Sequence, residues 1–139
     1  MHMKLGQDSK KQWVKFYGSQ ILCALETMQR YNIIYRDVKP ENMMIDRDGN
    51  IKVIDFGFAK MLHSNNEFRT STNCGTLGYT APEVLIGNGY SFGVDVWSYG
   101  VLLCEMLQGK LPFEEQNDPH QIQKATIQGE LKLPRDIDQ

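Results

Sequence analysis

Asn42 and Asp55 are the residues whose types and spacing first point to chemistry. They flank an apolar run, Met43-Met44-Ile45, a turn signal, Asp48-Gly49, and a returning run at 51–54. Asp-Gly between apolar runs is a strong two-residue hairpin signal. Centred on that turn, Met44 is expected opposite Val53, Met43 opposite Ile54, and Asn42 opposite Asp55. Directly opposed residues have Cβ atoms about 4.5–5.5 Å apart. An amide oxygen and a carboxylate would then converge at the hairpin mouth, with Asp37 a short distance upstream. Hard oxygen donors of this kind suit Mg²⁺, which takes one or two carboxylates and completes its shell with phosphate and water. Two polar groups resting at the open end of a hairpin is the equal alternative on this geometry alone. The stretch IIYRDVKPENMMI, at 33–45, poses the same choice, since its charged groups lie between two apolar runs where a solvated loop could also sit.

The elements that must position these residues are helical. Val14, Tyr17, Ile21, Leu25 and Met28 recur at spacings of three and four, one face of a helix that Asp8 or Ser9 could cap. VDVWSYGVLLCEMLQG, from Val94, is apolar on nearly all sides, as a helix in a domain centre would be, with Gly109 ending it and Pro112 preventing its return. DPHQ starts a third helix, with Asp118 as N-cap, Pro119 in the first turn and Gln121 completing a capping box; Gly129 closes it. The segment 60–91 shows little periodicity, and loops that long in a compact domain are usually functional.

Composition narrows the class. The 139 residues fit one domain, and 41% hydrophobic with 23% charged residues reads as globular. A net charge of −2 gives no electrostatic footprint for nucleic acid. Cys23, Cys74 and Cys104 are far apart and odd in number, which argues against a zinc site or disulfide framework and for a reducing, cytoplasmic setting. The first ten residues hold no apolar core for a signal peptide, and the longest apolar stretch is too short and interrupted to cross a membrane.

DFG at 55–57 and APE at 81–83 change the odds. Together with Arg-Asp-x-x-x-x-Asn at 36–42, in this order and spacing, they form a strong joint signal. Over nearly its whole length the sequence resembles the C-terminal lobe of a eukaryotic protein kinase. YRDVKPEN, DFGFAK and CGT resemble the cyclic-nucleotide-dependent branch of the AGC-type serine/threonine kinases, with the cGMP-dependent type as first expectation. The resemblance implies a mainly α fold: the large lobe with a short catalytic β-hairpin, a partial kinase domain spanning 1–139 without the small N-terminal lobe. It implies ATP and Mg²⁺ as cofactors.

Roles follow from the resemblance position by position. Asp37 matches the aspartate that orients the substrate hydroxyl and accepts its proton. Lys39 matches the lysine that neutralises the transferring phosphoryl group and marks a serine/threonine enzyme. Asn42 and Asp55 match the magnesium ligands. Met44 occupies the position beneath the adenine, or is an ordinary strand core residue. Thr72 aligns with the phosphorylated threonine of the activation segment, with Arg36 and Lys60 as the cations that receive its phosphate. Thr76 matches the threonine bonded to the catalytic Asp and Lys. Asp95 matches the aspartate of the central helix that holds the catalytic-loop backbone. Glu41 and Glu105 match acidic positions that receive an arginine upstream of the target residue, so protein substrates with basic residues before the Ser/Thr are expected.

The sequence departs from the family at two places. Leu77-Gly78 stands where Pro-Glu usually follows CGT, which removes a carboxylate from the peptide-binding loop. No glycine-rich loop, strand lysine or partner glutamate precedes the first helix, and the arginine that pairs with Glu83 of APE is missing. The expected partners therefore include a small lobe and a regulatory region on the same polypeptide, with no nucleic acid and no membrane segment. A catalytic lobe of an active kinase and a non-catalytic kinase-like scaffold module both fit; intact Asp37, Lys39, Asn42 and Asp55 favour the first. A small-molecule kinase would leave APE and the Thr72 region unexplained.

Overall fold

A computed structural model describes residues 7–113 and 118–129, so residues 1–6, read above for a leader, lie outside the described range. The chain forms α1 (Gln7–Arg30), β1 (Ile33–Ile34), a 3₁₀ turn at Pro40–Asn42, β2 (Met43–Ile45), β3 (Ile51–Val53), β4 (Lys60–Met61) and a second 3₁₀ turn at Ser64–Asn66. Helices α2 (Pro82–Ile86), α3 (Gly93–Gln108) and α4 (Pro119–Gln128) follow. Helix dominates, and the described strands make only two antiparallel pairs, β1–β4 and β2–β3. This is the mainly α architecture expected.

The apolar spacing of α1 produces the face it predicts. Ile21 and Leu25 are buried and Val14, Tyr17 and Met28 are half-buried, while Leu22, one residue round, is exposed. That face packs on α3, and the Tyr99 hydroxyl donates to the Gly18 carbonyl at 3.0 Å across the contact. Asp8 and Ser9 do not cap the helix. It starts at Gln7, so both lie in the first turn, where the charge of Asp8 still suits the positive end of the helix dipole. In α3, Val94, Val101, Leu102 and Cys104 are buried together with Asp95 and Ser98. Apolar sequence all round does not become burial all round among the described residues: Val96 is 57% exposed. Gly109 and Gly129 end α3 and α4 with φ of 76° and 68°, and the Asp118 side chain caps α4 by accepting from the His120 amide.

The hairpin register differs from the expected one by one residue. Met43 pairs with Val53, Met44 with Lys52 and Ile45 with Ile51, so Asn42 comes opposite Ile54, not Asp55. The cause is Asp46. Its Oδ1 accepts from the amides of Asp48 (3.0 Å) and Asn50 (2.9 Å), and its own amide donates to the Asn50 carbonyl. These bonds close a three-residue loop over 47–49, ending in Gly49 at φ 82°, the left-handed residue such loops require. The slip leaves Asn42 tied to β3 through its carbonyl, which accepts from the Ile54 amide at 3.0 Å. Asp55 turns out of the ladder with φ 59°.

The segment 60–91 is less irregular than its sequence indicates. β4 pairs back onto β1, with Ile33 opposite Met61 and Ile34 opposite Lys60. Thr70 and Tyr90 form an isolated bridge. Two apolar clusters anchor the molecule. One gathers Ile34, Leu62, Ala81, Val84, Tyr90 and Val94; the other gathers Ile21, Leu25, Tyr35, Val38 and Leu102. The stretch 33–38 feeds side chains into both, so its polar residues project from a segment pinned on two sides. Ile21→Ala is expected to lower the unfolding free energy by about 2–4 kcal/mol and Leu22→Ala by under about 1 kcal/mol, measured by urea denaturation. Equal losses would contradict the packing of α1 on α3.

Candidate active site

Asp37 is the centre of the site. Its side chain is 3% exposed, and three donors surround its carboxylate. Lys39 Nζ lies 2.9 Å from Oδ2, Asn42 Nδ2 donates to the same oxygen at 2.7 Å, and Thr76 Oγ1 donates to Oδ1 at 2.8 Å. Lys39 also donates to Thr76 Oγ1 at 2.9 Å, and Asn42 Nδ2 to the Asp37 carbonyl at 2.9 Å. Asp37, Lys39, Asn42 and Thr76 thus form one closed network. Burial pushes the Asp37 pKa up. The hydrogen bonds from Lys39, Thr76 and Asn42, and the lysine charge, outweigh it and hold the carboxyl below the usual aspartate value.

Local structure dictates this arrangement. Pro40 cannot donate a backbone hydrogen bond and favours the start of a helical turn; the 3₁₀ turn Pro40–Asn42 folds Asn42 back toward Asp37. Thr76 arrives from the segment before α2. Gly75 has φ 116°, and a Cβ there would meet Thr80 Oγ1 at 3.1 Å and the Arg36 carbonyl at 3.3 Å. A side chain at this position would be strained and would hold the segment off the Asp37 loop.

Asp95, buried on α3, holds the same loop from below. Its Oδ2 accepts from the Tyr35 amide and its Oδ1 from the Arg36 amide, both at 2.7 Å. Arg36 needs the restraint, because its φ is 69°, uncommon for a residue with a side chain. Burial raises the Asp95 pKa despite these two bonds. Tyr35 is fully buried. Its hydroxyl donates to the Ile54 carbonyl at 2.5 Å, and its ring meets Phe56 edge-on with centroids 5.5 Å apart. Burial, with the charges of Asp37 and Asp55, pushes its phenol up to about 12.

Asp55 is exposed, and its Oδ1 accepts from the Gly57 amide at 3.0 Å. The expectation that it faces Asn42 across the hairpin fails with the register. The donor chemistry still fits magnesium: Asn42 spends its side-chain nitrogen on Asp37, so its side-chain oxygen Oδ1 is the hard donor, and Asp55 supplies a carboxylate. Among the described residues no group of three His, Cys, Asp or Glu forms a metal cluster, so a cation here needs oxygens from a ligand or water. Met44 is 55% exposed beside exposed Ile45, which rules out the strand-core alternative among the described residues.

The cations expected to receive a phosphate lie near Thr72 but not on it. Lys60, brought beside Ile34 by β4, donates to Thr70 Oγ1 at 2.9 Å, and Thr70 Oγ1 lies 3.4 Å from Thr72 Oγ1. Arg36 donates through Nε to the Phe58 carbonyl at 2.6 Å and through Nη1 to the Tyr90 hydroxyl at 3.1 Å. Tyr90 in turn donates to the Thr72 carbonyl. Thr72 is exposed, at the edge of a depression lined by Lys60, Arg69, Thr70, Ser71 and Gly89.

Glu41 is exposed on the 3₁₀ turn, and half-buried Glu105 accepts from the Tyr79 hydroxyl. Glu83 lies in the first turn of α2 with no ion-pair partner among the described residues. Sequence reasoning missed Tyr79 and Tyr90. Neither belongs to a motif read above, and their partners are distant in sequence.

Residues 3–138 match the family model described as the protein kinase domain. The chain is 46% identical over 123 residues to the Homo sapiens protein named cAMP-dependent protein kinase catalytic subunit PRKX, covering 88% of this chain and 33% of that protein. It is 43% identical over 134 residues to a Caenorhabditis elegans protein named cAMP-dependent protein kinase, catalytic subunit-like, covering 96% and 32%. It is 44% identical over 125 residues to the serine/threonine-protein kinase gad8 of Schizosaccharomyces pombe, covering 90% and 22%. The chain thus spans about a fifth to a third of the length of these relatives. Two of the names lie in the cyclic-nucleotide-dependent branch, on the cAMP side.

The network around Asp37 has a pH signature. An aspartate whose folded pKa lies below its unfolded value of about 3.9 adds stability above that value and loses it as pH falls through the folded value. The gap in unfolding free energy between wild type and Asp37→Asn is therefore expected to narrow below about pH 4. Urea unfolding from pH 7 to pH 3 measures it, and a constant gap would contradict the depressed pKa.

Proposed function

The chain belongs to the protein kinase domain family, and from that premise we propose that it is the catalytic lobe of an enzyme that transfers the terminal phosphoryl group of ATP to serine or threonine hydroxyls of proteins. The observation that carries this reading is the closed network of Lys39, Asn42 and Thr76 on a buried, ionised Asp37. Phosphoryl transfer needs little covalent help; positioning and charge neutralisation supply most of the catalysis. Asp37 accepts the hydrogen bond of the incoming hydroxyl and orients its oxygen toward phosphorus. The new P–O bond forms as the bond to the β-phosphate breaks, and the hydroxyl proton passes to Asp37. A carboxylate held below its usual pKa is a weak base, so its work before that late step is orientation. Lys39, half-buried and fixed by Thr76, places its charge beside the phosphoryl group. Asn42 and Asp55 would hold the magnesium ion, which when bound neutralises phosphate oxygens. The open face of Met44 suits the floor beneath an adenine.

Glu41 and Glu105 support a preference for basic residues upstream of the target, with Glu105 already oriented by Tyr79. Gly78 contributes no carboxylate, so the preference should be less sharp than in relatives with glutamate there. The three free cysteines fit a reducing compartment such as the cytoplasm.

These residues form one wall of a nucleotide site. The sequence holds no glycine-rich strand pair to cover the phosphates. The polypeptide 1–139 alone is therefore expected to bind Mg²⁺-ATP weakly, to transfer no measurable phosphate, and to aggregate through exposed Phe56, Phe58 and Met61. Joined to a small lobe and further helices, it should phosphorylate peptides with upstream arginines in preference to those without. Asp37→Asn should then lower kcat by about 10²–10⁴-fold. Radiolabelled phosphate transfer measures both. Absence of transfer from the joined protein would favour the scaffold alternative.

Thr72 is proposed as the activating phosphorylation site. Lys60 lies one hydroxyl away from it and Arg36 one phenol away, so small movements would bring both onto a dianionic phosphate. Thr72→Ala and Arg36→Ala should each lower the activity of the joined protein. The double variant should be little worse than either, since both remove one interaction. Additive losses in log kcat would contradict the coupling.

A further inference from the structure

Tyr90 has no catalytic role in the reading above, yet its hydroxyl lies between Arg36 and the Thr72 segment. The residue is 3% exposed and lies in the cluster of Ile34, Leu62, Ala81, Val84 and Val94. Its amide donates to the Thr70 carbonyl at 2.8 Å, and its carbonyl accepts from the Thr70 amide at 2.9 Å. Its hydroxyl accepts from Arg36 Nη1, donates to the Thr72 carbonyl, and lies 3.7 Å from Cys74 Sγ. A phenol has one proton to give, and here it goes to the activation segment while the oxygen faces the guanidinium. The same guanidinium donates through Nε to the Phe58 carbonyl, next to DFG.

We propose that Tyr90 is a positioning residue that holds the Thr72 segment against Arg36 when Thr72 carries no phosphate. The proposal rests on the kinase reading and on Thr72 as the switch, and adds a part to it. Without phosphate, Arg36 has no direct bond to Thr72 among the described residues; the Tyr90 hydroxyl stands between them. A phosphate on Thr72 would give the guanidinium a stronger acceptor and make the phenol bridge redundant. The bridge therefore governs basal activity, and the phosphate governs the activated state. A residue that merely fills the core would affect both states alike.

The test is Tyr90→Phe in the chain joined to a small lobe and further helices, which keeps the ring in its cluster and removes only the hydroxyl. Phosphate transfer is measured with Thr72 unphosphorylated and stoichiometrically phosphorylated, each against wild type. Loss of one hydrogen bond to a charged group should lower kcat of the unphosphorylated form about tenfold and that of the phosphorylated form less than about twofold. Equal losses in the two forms would overturn the proposal. A second readout does not depend on catalysis: iodoacetamide labelling of unphosphorylated protein, resolved by peptide mass spectrometry. Cys74 should label faster in Tyr90→Phe while exposed Cys23 labels at the wild-type rate; unchanged Cys74 labelling would also overturn the proposal. Wild type that transfers no phosphate in either form would defeat the kinase reading, and the labelling would still decide whether Tyr90 holds the segment.

Discussion

Two backbone amides, those of Tyr35 and Arg36, end on the carboxylate of Asp95, and the geometry of the site depends on that contact. The partners are distant in sequence, so the contact exists only once α3 has packed against α1 and β1. Arg36 adopts a left-handed backbone that costs on the order of 1–3 kcal/mol. The bend that follows directs Tyr35 and Val38 into one apolar cluster and Ile34 into the other. It leaves Asp37 projecting between them. A neutral hydrogen-bonding side chain would offer fewer acceptors to two amides side by side. An aspartate offers two oxygens and the stronger, charge-assisted bond.

Two buried carboxylates, Asp37 and Asp95, are pushed in opposite directions by their surroundings. At Asp95 burial dominates and the pKa rises. By linkage, a raised folded pKa means that the stability from this group is present below its unfolded pKa and lost as pH rises through the folded one. Its ionised form is thus held at a cost, offset by the loop it organises. At Asp37 burial is again the largest single influence, but three donors, one of them the cation Lys39, outweigh it and the pKa falls. Environments that separate the pKa values of like groups assign them different tasks. Asp95 is structural, and Asp37 stays ionised and acceptor-only, as its proposed role of orienting a hydroxyl requires.

Much of this was legible in the sequence, and what escaped did so for identifiable reasons. The α1 face, the glycine ends of α3 and α4 and the Asp118 cap follow from local rules, because each depends on residues within a turn or two. Thr76 meets Asp37 and Lys39, and Asp95 holds the Tyr35 and Arg36 amides, as the family resemblance implied. The hairpin register did not follow from Asp48-Gly49, because the Asp46 side chain captured two amides and added a residue to the loop. The β1–β4 pair was missed because two-residue strands carry no periodicity. Met44 proved exposed, and it pairs with exposed Lys52 in place of the expected Val53. Tyr79 and Tyr90 lie in stretches without a motif, and only tertiary structure shows that their hydroxyls reach Glu105, Arg36 and Thr72.

Hydrogen exchange at the amides of Tyr35 and Arg36 tests the central claim most directly. If Asp95 fixes the catalytic loop, these two amides are protected like those of α1 around Ile21 and exchange only when the whole domain opens. They should do so although Arg36 belongs to no helix or strand. Exchange at the rate of solvent-exposed turn amides, with α1 still protected, would show that the carboxylate does not hold the loop and would contradict the account.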